Sequence, residues 1–384
     1  MVAPQKRLRI AVLNRIFRPT GGGAERYSIA LVEQLAARHD IHVYAQQIEH
    51  QWPGVSYHPV PRPFDKPRWI NQLWFALATW WQTRRGFDVV HSHENTWHGQ
   101  VQTVHVVPVK HSLLQGRMGW RLALRWLKII TSPRLLAYLG LEHFRYKPRA
   151  DRCVVLASDG LKPVMAQSYP AATQALRVVT PGVGSVPGIT GMEQKAAARA
   201  KLGLPADGRC ILFVGNDYRK KGLQTLLAAL SALPTDCFVA VVGNAAQIAG
   251  FQAEVDSSSN RGRVHFLGAL RSVDDAYRAA DCLAHPTLED TFAMVVLEAM
   301  AHGLPVMVSS VQYCGIAGLL AHGEEALILD NPRDAQELVQ ALMRLQTDAA
   351  LAQTLSDNGL RFARQHLWSK QALAQESIYQ TVAR

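Results

Sequence analysis

The chain is predicted to be an α/β protein built from two doubly wound parallel sheets, each with helices on both faces. Three observations predict it. Short apolar runs alternate with helical stretches in both halves, a pattern that produces strand–helix–strand units and parallel sheets. With 384 residues and 48% apolar content the chain is long for one core but ample for two. A segment dense in glycine and proline, VVTPGVGSVPGITG, separates the halves and is the expected interdomain connection.

In chain order, LRIAVLN is the first strand, followed by Gly21, Gly22 and Gly23, a helix from about Ala24 to Arg38, the strand IHVYA and later the strand FDVVHSH. The second half repeats the pattern with CILFVG, CFVAVVG, VHFLGAL and DCLAHP, each followed by a helical stretch. The predicted division is a first domain over 1–180, a linker over 181–205, a second domain over 206–362 and a C-terminal helix over 363–384. Ligands of open α/β sheets bind beyond the carboxyl ends of the strands, so the loops there are the expected site, in a cleft between the domains.

The five cysteines are scattered, odd in number and free of C-x-x-C spacing, so they read as buried thiols of a reducing compartment. The histidines give no ligand spacing, and neither a metal nor a cofactor is expected. The start, MVAPQKRLRIAVLN, has no secretory apolar region, and no run reaches the 18 or so apolar residues of a spanning helix. A cytoplasmic protein is expected. Charge is asymmetric: residues 1–180 hold 24 Lys and Arg against 10 Asp and Glu, the remainder 17 against 20. Residues 110–150 alone carry nine cations and one acid, Glu142, which implies a polyanionic partner.

Chemistry concentrates in PTLEDTFAMVVLEAMAHGLPV. On one helix, Asp290 and Glu298 would be separated by roughly 12 Å of rise and about 80° of rotation and would not face one ligand. The workable arrangement puts Asp290 in a loop and Glu298 inside a helix, with Thr291 as N-cap and Gly303 with Pro305 as the stop. Backbone N–H groups of Thr291, Phe292, Ala293 and Met294 would then point outward at a helix N-terminus, which favours phosphate. Hydroxyl acceptors beside phosphate donors suit a nucleotide-sugar. The plain alternative is an acid that satisfies a helix dipole and a solvated mid-helix Glu. Gly22 and Gly23 would let the backbone approach a diphosphate, although strand-to-helix turns also use glycine structurally. After the strand ending at Gly215, NDYRKKG places Arg219, Lys220 and Lys221 where cations would neutralise a leaving diphosphate.

The stretch from Asp290 to Glu298 resembles the E-x7-E motif of retaining family 4 glycosyltransferases of the GT-B fold, whose usual form is E-x-F-G-x4-E. Asp290 replaces the first Glu and Ala293 the Gly, which asks that the loop not need φ > 0 there. Gly22 and Gly23 fit the G-G-x-E of that family, Lys221 fits its Lys, and Asn216 replaces its usual Arg. His105, in QTVHVVP, fits the T-x-H near the sugar; a strand-end histidine is otherwise a satisfied polar group. The form G-x-D-[FY]-x-x-K-G, the run YCGIAGLL and the helix SPRLLAYLGLEHFRY resemble the lipopolysaccharide core α-1,3-glucosyltransferase subgroup. The resemblance implies two Rossmann-like domains, a C-terminal helix crossing back onto the first, and transfer of a hexose from a nucleotide diphosphate donor, UDP-linked, to a lipid-linked saccharide in lipopolysaccharide or other cell-surface glycan assembly. It further implies that Glu298 binds the ribose, Asp290 the sugar hydroxyls, and Lys221 and Lys220 the diphosphate without a metal, by a same-face route needing no protein nucleophile.

In GWRLALRWLKII, Arg121, Arg125 and Lys128 recur on one helical stripe with Trp120, Leu124, Leu127 and Ile130 on other faces. This basic amphipathic pattern fits an anionic leaflet, and with it a peripheral protein on the inner face of the inner membrane. An ordinary helix packed on its own domain is the alternative. Two competing functions remain: a soluble transferase of starch, glycogen or sucrose type, and a nucleic-acid-binding protein, for which the pI near 9.6 speaks but no recognisable module does.

Overall fold

The computed structural model describes residues 6–19 and 22–383, so Gly21 lies outside the described residues. The chain divides into two compact units, one up to Pro181 together with Trp368 onward, the other from Gly182 to Leu367.

The first unit contains β1 (Arg9–Leu13), β2 (Ile16–Phe17), α1 (Gly23–Leu35), β3 (Asp40–Ala45), β4 (Gln47–Ile48), β5 (Val55–Pro59), α2 (Arg68–Thr83), β6 (Val89–Ser92), β7 (Val101–Val104), α3 (Val109–Leu114), α4 (Gly119–Ile130), α5 (Pro133–Arg145), β8 (Cys153–Leu156), α6 (Leu161–Ser168) and β9 (Leu176–Val178). Seven strands form one parallel sheet in the order β5-β3-β1-β6-β7-β8-β9. β6, β7 and β8 are buried along their whole length, as expected of strands covered on both faces.

The second unit contains α7 (Met192–Leu202), β10 (Arg209–Gly215), α8 (Leu223–Leu230), β11 (Cys237–Gly243), α9 (Ile248–Asp256), β12 (Val264–Gly268), α10 (Asp274–Ala279), β13 (Cys282–His285), α11 (Met294–Ala301), β14 (Val306–Ser309), β15 (Leu327–Leu329), α12 (Ala335–Thr347) and α13 (Ala349–Gln365). Its six strands run parallel in the order β12-β11-β10-β13-β14-β15. Chain order reverses direction between β10 and β13, the switch point at which such sheets open a crevice beyond their carboxyl ends.

Two expected boundaries move. The expected linker over 181–205 contains a full helix: α7 belongs to the second unit, where Lys195 and Arg199 hold Asp281 at 2.7 and 2.9 Å. The last helical stretch breaks at His366–Leu367 rather than at 363, and α14 (Trp368–Val382) begins there. α14 belongs to the first unit and packs on α1, with Trp368 edge-on to Tyr27 at 5.1 Å. Buried Glu376 meets His39 at 2.9 Å and Arg38 at 3.1 Å, so the helix is fixed by charge as well as by apolar contact.

Candidate active site

The loops after β10 and β13 lie side by side because their strands are neighbours. Gly215 ends β10, and a Cβ there would meet the Lys221 side chain at 2.8 Å. Glycine is therefore required for the lysine stem to fold back over the strand end. Gly222 has φ +81°, and a Cβ would overlap the Pro286 carbonyl, so this turn admits little but glycine. Gln247 pins the loop by accepting from the Tyr218 N–H at 3.0 Å and donating to the Asn216 carbonyl at 2.6 Å. The Lys220 carbonyl accepts from the Leu288 N–H at 2.8 Å, which ties the two loops together.

The three expected cations are all partnered, Arg219 and Lys220 at the exposed surface and Lys221 half-buried. Arg219 lies over the Phe251 ring, and Lys220 pairs with Glu289 at 2.8 Å. Lys221 Nζ donates to Asp290 Oδ2 at 2.5 Å and to the Glu289 carbonyl at 3.1 Å. An ammonium has three protons, so one remains for a further acceptor.

Asp290 is satisfied at both oxygens. Oδ2 takes Lys221 and the ring Nε2 of buried His285, at 3.3 Å, while Oδ1 accepts from the N–H groups of Ala293 at 2.9 Å and Phe292 at 3.3 Å. A carboxylate offers about four acceptor positions, and these four partners fill them. The expectation that Phe292 and Ala293 amides point outward at a phosphate is thus corrected: Asp290 accepts both. Thr291 is likewise not the N-cap. α11 starts at Met294 with Ala293 as its cap residue at φ +72°, ψ +69°, the left-handed region a non-glycine residue adopts at a cost. The loop therefore does need φ > 0 at the position where the resembled motif carries glycine. Burial would raise the Asp290 carboxyl, but the hydrogen bond from His285 and the charge of Lys221 outweigh it and hold the group well below the usual carboxylate range. Burial pushes the His285 imidazole down, so it faces Asp290 as a neutral Nε2–H donor.

The loop is braced from behind by the YCGIAGLL run. Asp290 N–H donates to the Tyr313 carbonyl at 2.7 Å, Gly315 N–H to the Asp290 carbonyl at 3.0 Å and Ile316 N–H to the Phe292 carbonyl at 3.0 Å. Glu298 lies one turn into α11, half-buried, with Oε2 accepting the Tyr277 hydroxyl of α10 at 2.8 Å. The helix ends in a Schellman turn, Leu304 N–H on the Ala299 carbonyl and Gly303 (φ +71°) N–H on the Met300 carbonyl, as the Gly303 stop predicts.

In the first unit, Gly22 caps α1 in extended conformation and Gly23 opens it, with Glu25 in the first turn. Neither residue has positive φ. His105 follows β7. Its Nε2 lies 2.9 Å from Nδ1 of His93, with Tyr27 edge-on at 5.0 Å. His91 sits beside them, between the Tyr379 hydroxyl and Thr103 Oγ1 at 2.6 Å each. Burial, helped by the charge of Arg145, pushes His105 down to about 3; burial and His105 do the same for His91. Among the described residues no group of three or more His, Cys, Asp or Glu is placed to hold a metal ion.

Sequence reading missed His93, Tyr277, His285 and Gln247. The pattern HSH after an apolar run was a signal for His93. Nothing local marks Tyr277 or Gln247, which reach the site from neighbouring elements.

Two parallel doubly wound sheets, the second with a zipped pair of loops and an acid-bearing helix at its switch point, define a GT-B transferase. Two family models cover the chain between them, Glycosyltransferase Family 4 over residues 21–184 and Glycosyl transferases group 1 over residues 194–362. The chain belongs to these glycosyltransferases. It is similar to the lipopolysaccharide glucosyltransferase WaaG of Escherichia coli (strain K12), 29% identical over 169 residues, 43% of this chain and 44% of that one. It is also similar to the D-inositol 3-phosphate glycosyltransferase of Rhodococcus jostii (strain RHA1), 30% identical over 290 residues, 68% of this chain and 63% of that one. The matched stretch thus spans less than two thirds of either relative. Two solved structures share the fold. The crystal structure of WaaG gives a TM-score of 0.83 over 96% of this chain and 99% of that one at 22% identity; Anabaena HepE in complex with UDP-glucose gives 0.75 over 97% and 100% at 18%.

Proposed function

We propose that this glycosyltransferase moves a hexose, with retention, from a UDP-linked donor to a lipid-linked saccharide of lipopolysaccharide or another cell-surface glycan, working as a peripheral protein on the cytoplasmic face of the inner membrane. The observation that carries the transfer reading is the Lys221–Asp290 pair at the switch point. Asp290 organises rather than clamps: its four partners fix the loop and hold Lys221, whose remaining proton is directed at the leaving diphosphate. The pair is set before substrate arrives, so stabilising the charge that grows on the diphosphate needs no reorganisation. Filled on both oxygens, Asp290 is no nucleophile, which agrees with a same-face route assisted by the leaving group. Glu298, with one oxygen on Tyr277, accepts the ribose hydroxyls, and His105, neutral, hydrogen-bonds the transferred sugar. No metal is required in this scheme. UDP as the nucleotide is supported by the fold shared with HepE in its UDP-glucose complex, and the acceptor class by the similarity to a lipopolysaccharide glucosyltransferase.

The membrane reading rests on α4. Of its twelve residues only Ile129 is buried, while Trp120 is 68%, Leu127 58% and Ile130 64% exposed. These apolar side chains do not line the core of the unit. Arg117, Arg121, Arg125 and Lys128 border a cavity of about 530 Å³ with Trp120 and Leu124. No helix among the described residues is long and apolar enough to cross a membrane. Each cation near an anionic surface adds roughly 1 kcal/mol, and salt weakens it.

Two experiments test the proposal. Donor-dependent UDP release across a panel of nucleotide-sugars identifies the donor; Lys221→Ala should chiefly lower kcat, and equal turnover would remove the lysine from the phosphate role. Sedimentation with anionic and neutral liposomes should separate wild type from an Arg121/Arg125/Lys128→Glu triple variant, and equal recovery of both with both lipids would refute the membrane reading.

A further inference from the structure

α2 is amphipathic in a way that the core of its unit does not explain. Phe75, Ala76, Thr79 and Thr83 are buried, and the opposite stripe at helical spacing is Leu77, Trp80, Trp81 and Arg84. Leu77 is 48% and Trp81 63% exposed. A solvated helix face carries polar residues, not a leucine and two tryptophans. The Arg84 guanidinium lies 5.9 and 5.7 Å from the Trp80 and Trp81 ring centroids, which keeps a cation at the end of the apolar stripe. α4 repeats the device: the Arg121 guanidinium is 5.6 Å from the Trp120 centroid. α5 packs against both helices, and Asn95 bridges the first contact, its carbonyl accepting from Gln72 at 2.9 Å and its side chain donating to the Tyr138 carbonyl. Around α2 the segment 61–85 holds Arg62, Lys66, Arg68, Arg84 and Arg85 against one acid, Asp65.

We infer that α2 is a second contact with the anionic bilayer, its Trp80–Trp81 pair entering the boundary between headgroups and acyl chains while Arg84 and Arg85 meet lipid phosphates. This rests on the membrane reading above and extends it from one helix to two. Tryptophan favours that boundary, and a flanking arginine supplies attraction that neutral lipid lacks. A stripe meant for a second copy of the chain would gain nothing from a cationic rim opposed to itself.

The test compares wild type, Trp80→Ala/Trp81→Ala, the α4 triple variant and their combination, by flotation with phosphatidylglycerol-rich and with phosphatidylcholine vesicles. The tryptophan variant should lose about tenfold in partitioning to anionic vesicles, and the combination should lose more than either. Quenching of wild-type tryptophan fluorescence by brominated acyl chains should fall in the tryptophan variant. Both positions are solvent-facing, so an unchanged thermal midpoint and unchanged donor-dependent UDP release keep folding out of the result. If the α4 variant loses binding while Trp80→Ala/Trp81→Ala binds and is quenched like wild type, α2 is not a contact and the α4 reading stands alone. If wild type itself ignores anionic vesicles, both fall. A change confined to self-association in analytical ultracentrifugation would assign the stripe to a second copy and overturn the inference.

Discussion

The carboxyl edges of the two sheets both bury clusters of titratable side chains, and they meet the cost of burial in opposite ways. At the carboxyl ends of β6 and β7, His91, His93 and His105 stay neutral and hydrogen-bond one another or their neighbours, with Thr103 and Tyr379 completing the chain. Beyond β10 and β13, Lys221 and Asp290 stay charged and offset each other, while His285 donates as a neutral ring. Removing a proton avoids the desolvation of a charge; pairing keeps the charge and fixes where it points. The first arrangement suits recognition of an uncharged hydroxyl, the second stabilisation of an anion that appears during reaction. The two edges should therefore respond differently to substitution and to pH.

The largest separation is expected from Asp290→Ala. It leaves Lys221 without its carboxylate and frees the Phe292 and Ala293 amides, and losing charged hydrogen bonds of this half-buried kind costs about 1.5 to 3 kcal/mol. Chemical denaturation should show the loss, donor-dependent UDP release should disappear, and the His91–His93–His105 edge should keep its native hydrogen-exchange protection. Loss of protection there would mean that the two edges are not independent.

Acid separates them next. His91 and His105 titrate at about 3 in the folded protein against an ordinary value of 6.5. Between those values the unfolded chain binds more protons than the native one, so this stability is complete above pH 6.5 and declines as pH falls through the window. At pH 5 each histidine should cost about 2 kcal/mol. Asp290, shifted downward, contributes above the ordinary carboxylate range and loses that only below about pH 4. His285 at the second edge is held neutral in the same way, but it is one histidine against three at the first, so hydrogen exchange at pH 5 should find the first unit opening before the second, and the reverse order would contradict the neutral-histidine account.

Glu298→Ala should reduce transfer by roughly one to two orders of magnitude, since hydrogen bonds to a charged group are worth about 1.5 to 3 kcal/mol. Tyr277→Phe should have a smaller effect in the same direction by releasing one carboxylate oxygen. Near-normal turnover of Glu298→Ala would remove the ribose role. The smallest change is expected from Ala293→Gly. Relief of the left-handed strain, about 1 kcal/mol, is opposed by the extra freedom of glycine, about 0.5 to 1 kcal/mol. The denaturation midpoint should hardly move, and a loss above about 2 kcal/mol would make the buried Ala293 methyl a packing element of the second core.

The sequence by itself determined what local signals encode. Apolar runs bounded by turn residues marked β1, β10, β11 and β13, the Gly303 stop ended α11 where it does end, and spacing placed Asp290 outside that helix and Glu298 within it. Tertiary structure decided what those groups do. Lys221 and Asp290 are 69 positions apart and meet only because β10 and β13 are neighbours in the sheet. The same adjacency, through Asp290, turned the loop amides inward and forced Ala293 into left-handed backbone, which no propensity announces. Tyr277 reached Glu298 from a separate helix, and α7 emerged from a stretch whose flanking glycines and prolines read as linker because its anchors, Lys195 and Arg199, depend on the distant Asp281. Periodicity and capping are properties of a few consecutive residues. Strand order, and every charge pairing that hangs on it, is a property of the whole packed chain.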